Sequence, residues 1–217
     1  MKLRWGKKKE RPFTEEEIDA HLERHLGPCD DVFHDFQAVP LAVHEYIYRP
    51  TQERPYYVVA TVGMSSAPMH VDVAEAEHLK FAELVCALPA IWPMDEVVTN
   101  LARGSWALNM LRWLAAYVHF DKTWFGPGHM VPNQWPAEPW SPETKQSFAL
   151  LTEPARLPPA ARELKRDDGT SLYFWGVVPL YPTEAEFKMS AGAAGLSALL
   201  EPAGVDELIN PTRPAVI

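Results

Sequence analysis

Residues 104–132 read GSWALNMLRWLAAYVHFDKTWFGPGHMVP, and the predicted fold is built around this stretch. Between residues 106 and 118, apolar side chains surround almost the whole of a helix. Three polar residues break the pattern and share one narrow seam: Asn109, Arg112 and His119. A helix that is apolar on nearly all sides is buried against other elements. We therefore predict a central buried helix that includes Trp113 and Leu114 in the core, with Ser105 as its N-cap.

Short strands precede and follow this helix in an irregular order. The apolar and β-branched runs predict strands at residues 31–36, 41–48, 56–62, 81–88, 148–151 and 171–180. The run YYVVATV at residues 56–62 is typical of a strand buried on both faces. Asp167-Asp168-Gly169 predicts a hairpin turn before the last strand. The mixed order of elements favours an α+β fold, with a central mixed β-sheet flanked by helices in a single compact domain.

Two further helices are predicted from capping boxes, formed by Thr14 with Glu17 and by Thr183 with Glu186. The first helix ends at Gly27-Pro28, and the second runs to about residue 200. Gly192 and Gly195 lie inside the second helix and predict a break in it or a close approach to the sheet.

Charge is distributed unevenly along the 217 residues. Six of the first eleven residues are Lys or Arg, whereas the whole chain carries a net charge of −9. We predict a basic, disordered tail at residues 1–12 and a folded domain at residues 13–217. An acidic body repels phosphates, so we expect no nucleic-acid partner.

The sequence predicts a cytoplasmic protein that does not contact a membrane. It has neither a secretory signal nor an apolar stretch long enough to cross a bilayer. Its two cysteines, Cys29 and Cys86, do not make a disulfide framework.

One pattern is similar to the nucleophile elbow G-x-S-x-G of hydrolases. Gly63-Met64-Ser65-Ser66-Ala67 follows a predicted buried strand, which leaves a serine hydrolase using Ser65 or Ser66 as an alternative. Ala67 replaces the second glycine, and the next residues do not favour a helix. We therefore favour a sharp turn in which Gly63 supplies unusual backbone angles.

Other candidate chemical groups are isolated in the sequence. His21 and His25 lie four residues apart on the first helix, but no third metal ligand lies nearby. We interpret them as a surface pair and expect no metal and no cofactor. Glu83 is a lone acid in an apolar strand, where it would be a general acid or a partner of Arg112. A structural role is favoured, because no second catalytic group is evident.

Two loops are candidates for binding a partner protein. Residues 70–78, HVDVAEAEH, connect two predicted core strands, and their carboxylates are Asp72, Glu75 and Glu77. Residues 134–142 are rich in proline and contain Trp135 and Trp140. Loops held by a rigid scaffold often carry function. The acidic loop is predicted to contact a basic partner, with a merely solvated loop as the alternative and the two tryptophans as the second candidate surface.

Several stretches occur together in one order between residues 40 and 215. They are residues 49–57 (RPTQERPYY), 61–65 (TVGMS) with Pro68-Met69, 82–84 (AEL) leading to Leu88-Pro89, the residues Trp106, Leu111 and Leu114-Ala115, 123–129 (TWFGPGH), 178–181 (VPLY) and 210–214 (NPTRP). Taken together, they resemble the bacterial single-domain branch of the suppressor-of-fused domain family. The resemblance implies a compact α+β domain that binds proteins and has no enzymatic activity.

The resemblance also bears on the kind of partner. Animal members hold a segment of a transcription factor between this domain and a second one, for which the 217 residues have no room. Bacterial relatives are thought to serve often as immunity proteins that neutralise a toxin encoded beside them. Our leading hypothesis is therefore a non-enzymatic, cytoplasmic immunity protein against a basic toxin domain, since complementary charge speeds docking. The alternatives are an intracellular scaffold that binds an extended peptide at a sheet edge, and the serine hydrolase.

Overall fold

The structure of the protein is a computed structural model that describes residues 11–34, 41–100 and 104–217. The described chain contains eight strands and four α-helices, joined by loops and short 3-10 turns. The strands are β1 (Asp31–Phe33), β2 (His44–Tyr48), β3 (Tyr56–Val62), β4 (Ala82–Pro89), β5 (Met130–Pro132), β6 (Phe148–Thr152), β7 (Glu163–Lys165) and β8 (Ser171–Leu180). The helices are α1 (Glu15–Leu26), α2 (Met94–Asn100), α3 (Trp106–Phe120) and α4 (Pro182–Leu200). Of these elements, α2, β5 and β7 are not among the predicted ones.

The described strands form one mixed sheet in the order β1-β2-β3-β4-β8-β6-β5, with β7 paired to β8. Paired strands run antiparallel except β4 and β8, which are parallel. The long strand β8 pairs with β4 and β7 near its start and with β6 along its end. The predicted α+β fold, with a central mixed sheet flanked by helices in one compact domain, is confirmed.

Apolar clusters cover both faces of the sheet. In β3, Val59 belongs to the cluster that contains the buried side of α3, whereas Val58 and Ala60 belong to the cluster that contains α1. Successive side chains of a strand point to opposite faces, so a wholly apolar strand needs cover on both sides. The prediction that residues 56–62 are buried on both faces is therefore confirmed.

α3 is buried on one side only. Leu111, Leu114 and Val118 are fully buried, whereas Trp113 is 37% exposed and Phe120 is 59% exposed. The prediction that Trp113 lies in the core is wrong. It lies next to the polar seam, on the side of the helix that the sheet does not cover.

The start of α1 follows its predicted cap, but the start of α3 does not. Thr14 Oγ1 accepts a hydrogen bond from the Glu17 amide at 3.3 Å, and Glu17 Oε2 accepts one from the Thr14 amide at 3.0 Å. These two bonds confirm the capping box. Ser105 already has helical backbone angles, and its side chain does not cap α3.

α4 starts earlier than predicted and bends where predicted. It begins at Pro182, so the capping box of Thr183 and Glu186 is wrong; Glu184 Oε2 instead accepts from the amide that precedes the helix, at 2.9 Å. The break is confirmed at Gly192, whose φ of 79° and ψ of 173° are not helical. Neither α4 nor any other helix within the described ranges is long and apolar enough to cross a membrane.

The predicted basic tail lies mostly outside the described residues, which begin at Arg11. The carbonyl oxygens of Arg11 and Pro12 accept hydrogen bonds from Arg166 Nη1 and Nη2 at 2.7 and 2.8 Å. Residues 11 and 12 are therefore hydrogen-bonded to the turn between β7 and β8.

Candidate protein-binding surface

The uncovered side of α3 carries a row of aromatic side chains. Trp113 and Tyr117 stack with their ring centroids 5.3 Å apart, and Trp140 meets Trp113 edge-on at 5.7 Å. Phe120 lies one helical turn beyond Tyr117 and is exposed. We refer to Trp113, Tyr117, Phe120 and Trp140 as the aromatic surface. Contiguous exposed apolar groups on a folded protein mark interaction sites.

Trp140 reaches this surface from the proline-rich loop between β5 and β6. Its backbone amide and its indole Nε1 donate to the carbonyl oxygens of Gln146 and Phe148 at 3.0 and 3.3 Å. The side-chain amide of Asn133 donates to two carbonyl oxygens within the same loop, at 3.1 and 3.0 Å. These bonds fix the ring of Trp140 against α3. Trp135, in the same loop, is 85% exposed.

The acidic loop of residues 70–78 is attached beyond the C-terminal end of α3. The amide of His70 donates to the carbonyl oxygen of Thr123 at 3.1 Å. Trp124 Nε1 donates to Asp72 Oδ1 at 3.3 Å. The loop therefore borders the segment that leaves the helix.

The other two predicted carboxylates lie on a 3-10 helix formed by Ala74–Leu79. Glu75 and Glu77 are both exposed on it. Glu77 Oε1 lies 3.5 Å from Lys80 Nζ, so part of its charge is offset, whereas Asp72 accepts a hydrogen bond from a neutral indole.

Trp124 connects the acidic loop with the aromatic surface. A Cβ added to Gly126 would lie 2.8 Å from Trp124 Cζ3, so only glycine permits this approach of the indole. The ring of His129 lies 4.3 Å from that of Trp124. On the other side, Phe125 stacks on Tyr117 at 6.2 Å. A continuous series of contacts thus runs from Asp72 to the helix.

The structure brings together some of the predicted binding residues and separates others. Trp140 contacts the middle of α3, and Asp72 lies beyond its end. The sequence interpretation missed Trp113 and Phe120, because it assigned the aromatic residues of the helix to the core. A signal was present, since Trp113 lies four residues after Asn109 and next to Arg112, both of which belong to the polar seam.

Glu83 in β4 serves as the acceptor for the turn that follows β3. Its carboxylate is fully buried and accepts from Thr61 Oγ1 at 2.6 Å, from Ser65 Oγ at 2.7 Å, and from the amides of Gly63, Met64 and Ser65 at 3.0 to 3.3 Å. Burial raises the pKa of Glu83, and these donors oppose the shift because they stabilise the charged form. The contacts agree with the structural role favoured for this residue.

The same turn bears on the hydrolase alternative. Ser65 is buried, and its hydroxyl group donates a hydrogen bond to the carboxylate of Glu83, whereas Ser66 is exposed. Gly63 has a φ of +123°, and a Cβ there would lie 2.2 Å from the carbonyl oxygen of Ala42. His119 Nε2 lies 2.9 Å from a backbone carbonyl oxygen of the turn rather than from a serine hydroxyl. This geometry favours the predicted sharp turn over a nucleophile elbow.

Arg112 does not pair with Glu83. Its Nη2 forms a salt bridge with Glu45 of β2, whose side chain is fully buried. Its guanidinium group lies over the ring of Phe33, 5.2 Å from the centroid. The possibility that Glu83 pairs with Arg112 is therefore wrong, and the polar seam of α3 faces β1 and β2 at this point.

His21 is not a surface residue, although a surface pair with His25 was the interpretation. Its Nε2 lies 3.1 Å from the carbonyl oxygen of Ala161, and its ring stacks on Phe174 at 5.7 Å. Burial lowers the pKa of His21. In the part of the chain that the structure describes, no group of three or more His, Cys, Asp or Glu side chains is arranged to hold a metal ion.

The outer strands of the sheet are short. β1 and β5 each have three residues, and β5 ends in Pro132, which has no N–H to donate. The predicted strand at residues 31–36 is observed as far as Phe33, and residues 35–40 lie outside the described part. Short edges present few backbone groups to an added strand.

Comparison with known proteins identifies the family. Residues 37–214 match the family described as Suppressor of fused protein (SUFU). The chain belongs to the suppressor of fused family. The resemblance inferred from the sequence is confirmed. Among curated proteins, none matches this suppressor of fused chain significantly.

Solved structures of suppressor of fused proteins share its fold. A homologue from Neisseria gonorrhoeae has a TM-score of 0.65 at 17% identity, and the match covers 94% of this chain and 96% of that one. The crystal structure of the Sufu–Fu complex gives 0.65 at 15% identity, covering 96% and 93%. Drosophila Suppressor of Fused gives 0.54 at 16% identity, covering 81% of this chain and 42% of that chain.

Several stretches through which the chain resembles the suppressor of fused family stabilise the fold. In the sequence NPTRP, Arg213 donates to both carboxylate oxygens of Glu184 at 2.6 and 2.7 Å, and to the carbonyl oxygen of Pro179 at 3.0 Å. These bonds join the C-terminal segment to the start of α4 and the end of β8. The stretches containing Gly63 and Glu83 likewise meet in the buried turn.

Proposed function

We propose that this suppressor of fused chain, residues 13–217, is a non-enzymatic protein-binding domain whose partner docks on the aromatic surface. The observation that carries the proposal is the exposure of Trp113 and Phe120 on a helix whose other side is core, with the partly exposed rings of Tyr117 and Trp140 beside Trp113. Aromatic side chains dominate the energetics of protein interfaces, because each buries a large area at a small entropic cost. A rigid helix and a bonded loop present these rings with little further ordering on binding.

Charge indicates the chemistry of the partner. Asp72 is connected to the aromatic surface through Trp124 and Phe125, Glu75 and Glu77 lie on the same loop, and the chain as a whole carries a net charge of −9. A positively charged partner would be steered toward this face, and the ion pairs at the rim would set its orientation. We therefore infer a basic protein domain as the partner.

The specific role that fits such a partner is that of a cytoplasmic immunity protein, which neutralises a toxin by covering its basic active face. Many toxin domains are basic nucleases, so the charge complementarity that speeds docking also blocks the toxin's substrate. The family supports a protein partner, since one of the similar solved structures is the complex of Sufu with Fu.

A scaffold that binds an extended peptide at a sheet edge is the second candidate. The edge strands β1 and β5 offer three residues each in the described structure. The aromatic surface presents large rings, whereas each short edge presents few backbone groups, and for this reason we propose that the partner binds the aromatic surface.

The proposal is tested by identifying the partner and removing the surface. The tagged protein is purified from its native host, and the co-eluting protein is identified and produced separately. Binding is then measured for the wild type and for the double variant Trp113→Ala with Phe120→Ala. We expect the double variant to bind at least about tenfold more weakly, because it removes two central apolar contacts.

The matched control is Met189→Ala, which removes a side chain that is 70% exposed on α4. It should bind as the wild type does. Equal affinity of the double variant and the control would place the interface elsewhere, and toxin activity unaffected by the bound wild type would refute the immunity role.

A further inference from the structure

A cavity of about 450 Å³ lies on the face of the sheet opposite the aromatic surface. It is formed by the C-terminal end of α1, the turn before β3 and the segment after β6, and α1 packs in the apolar cluster opposite to that of α3. Its basic lining residues are His25, Arg54, Arg156 and Arg162, against the single carboxylate of Glu53. A surplus of cations in a concave site is unusual on a chain that is acidic overall.

Arg54 lines this cavity, and one of its donors is unsatisfied. Its Nη2 donates to the carbonyl oxygen of Arg49 at 3.0 Å, which anchors the guanidinium group. Its Nη1 is shielded from solvent and has no hydrogen-bond partner among the described residues. Burial lowers the pKa of Arg54. A partly buried cation whose donors are incompletely satisfied is stabilised by an anion bound close to its guanidinium group.

The other two arginines have different roles. Arg156 Nη2 pairs with Asp206 at 2.6 Å, and its guanidinium group lies over the ring of Tyr56 at 5.6 Å, so its charge is already offset. Arg162 Nε donates to the carbonyl oxygen of Leu157 at 3.3 Å. That bond holds Arg162 at the wall of the cavity through one nitrogen. Among the described residues Arg162 forms no ion pair, so its charge is not offset.

We propose that this cavity binds a phosphate-type oxyanion, held by Arg54 and Arg162 with His25 beside them. Guanidinium groups present pairs of N–H donors whose spacing matches the oxygens of phosphate. Two guanidinium groups from different segments match the several oxygens of a tetrahedral anion. A planar carboxylate has only two oxygens, and one guanidinium group already supplies a donor to each of them. The volume leaves room for a small organic group attached to the phosphate. The site is separate from the proposed partner surface.

Isothermal titration calorimetry with inorganic phosphate, sulfate and acetate tests this site, at pH 7.5 and constant ionic strength. Calorimetry measures binding directly, whereas a melting temperature also rises through the general stabilising effect of phosphate and sulfate. We expect saturable binding of one phosphate, with sulfate next and acetate at least tenfold weaker. Arg162→Gln and Arg54→Lys should each weaken phosphate binding at least tenfold. Lys145→Gln, an exposed residue outside the cavity, is the charge-matched control and should leave it unchanged.

Circular dichroism verifies that each variant is folded. If Arg54→Lys unfolds because it loses the bond to Arg49, Arg162→Gln decides the question alone. Absence of saturable phosphate binding to the wild type would overturn the proposal. So would unchanged affinity in Arg162→Gln, or acetate that binds as tightly as phosphate.

Discussion

At Glu83, five hydrogen-bond donors converge on one fully buried carboxylate. These donors come from the end of β3 and from the turn after it. A wholly apolar core would leave them without an acceptor. Both donors of Ser65 are used in this arrangement, since its amide and its hydroxyl group donate to the same oxygen, Glu83 Oε1. Glu83, a candidate general acid in the sequence, thus has a structural role, and the hydroxyl of Ser65 is engaged by Glu83 rather than free to act as a nucleophile.

Glu83→Gln is expected to destabilise the fold by at least about 2 kcal/mol. The replacement keeps the shape, but its NH₂ group would face backbone amides that need an acceptor. Urea unfolding measures the change, and Glu75→Gln, an exposed residue, should stay within about 0.5 kcal/mol of the wild type. A stability of Glu83→Gln equal to that of the wild type would show that the turn does not depend on the charge.

His21 is expected to make stability depend on pH. Burial lowers its pKa in the folded protein, whereas the unfolded chain takes up the proton near the ordinary pKa of about 6.5. Stability is therefore complete above that pH and is lost as the pH falls toward the lowered pKa of the folded state. His21→Gln keeps a side-chain donor for the carbonyl oxygen of Ala161 and removes the titration.

The measurement is the melting temperature of wild type and His21→Gln between pH 7.5 and pH 5.5. The variant should lose less stability over this range. His119, whose pKa burial also lowers, accounts for part of the remaining slope, so adding His119→Gln should flatten it further. An unchanged slope in the double variant would assign the acid sensitivity to other groups.

At the scale of elements, α3 has two functions on two sides. The side toward the sheet carries Leu111, Leu114 and Val118 in the main core. The opposite side carries Trp113 and Phe120, which none of the described helices or strands covers. The Glu45–Arg112 salt bridge and the contact of His119 with the turn after β3 fix the rotation of the helix between these two sides.

Truncations on the two sides of α3 are expected to differ in effect. Leu114→Ala should cost about 2–5 kcal/mol, because it leaves a cavity in a packed core. Trp113→Ala should cost only about 1–2 kcal/mol, mainly from lost ring contacts with Tyr117 and Trp140. Chemical denaturation of both variants tests the difference. A loss for Trp113→Ala as large as that for Leu114→Ala would mean that the indole is part of the core after all.

At the scale of the whole molecule, the sheet separates two surfaces of different chemistry. One face carries α3 with the aromatic surface and the acidic loop, and the other carries α1 with the basic cavity. The proposed basic partner and the proposed anion would therefore not compete for the same residues.

The acidic loop is expected to govern the rate of association with a basic partner. The triple variant Asp72→Asn, Glu75→Gln and Glu77→Gln removes the charge and nearly keeps the shape. It should slow association and flatten its dependence on salt, while the fold stays intact. The measurement is the association rate with the co-purified partner at low and high salt.

A triple variant on the opposite face provides the matched control. Glu16→Gln, Asp19→Asn and Glu23→Gln on α1 change the net charge by the same amount. A general effect of net charge would slow both triple variants equally. Identical rates and salt slopes for the wild type and the loop variant would remove the loop from the interface and leave Trp135 and Trp140 as the predicted residues to test.

The sequence by itself determined the features that depend on neighbouring residues. The capping box of Thr14 and Glu17, the hairpin turn at residues 167–169 and the doubly buried strand at residues 56–62 each follow from a local pattern. The α+β class and the family followed from the order of such patterns along the chain. These features are encoded locally, because backbone preference and side-chain alternation act over a few residues.

Only the tertiary structure decided which groups from distant segments meet. In the folded chain Trp113 is exposed, Arg112 pairs with Glu45, and Ser65 of the candidate nucleophile elbow donates a hydrogen bond to Glu83. The acidic loop and the basic cavity likewise acquired their neighbours from separate parts of the chain. The periodicity of α3 shows that one side is polar, but the direction from which the sheet covers the helix is set by long-range packing. For that reason the exposed aromatic side of α3, and with it the proposed binding surface, became visible only in the folded chain.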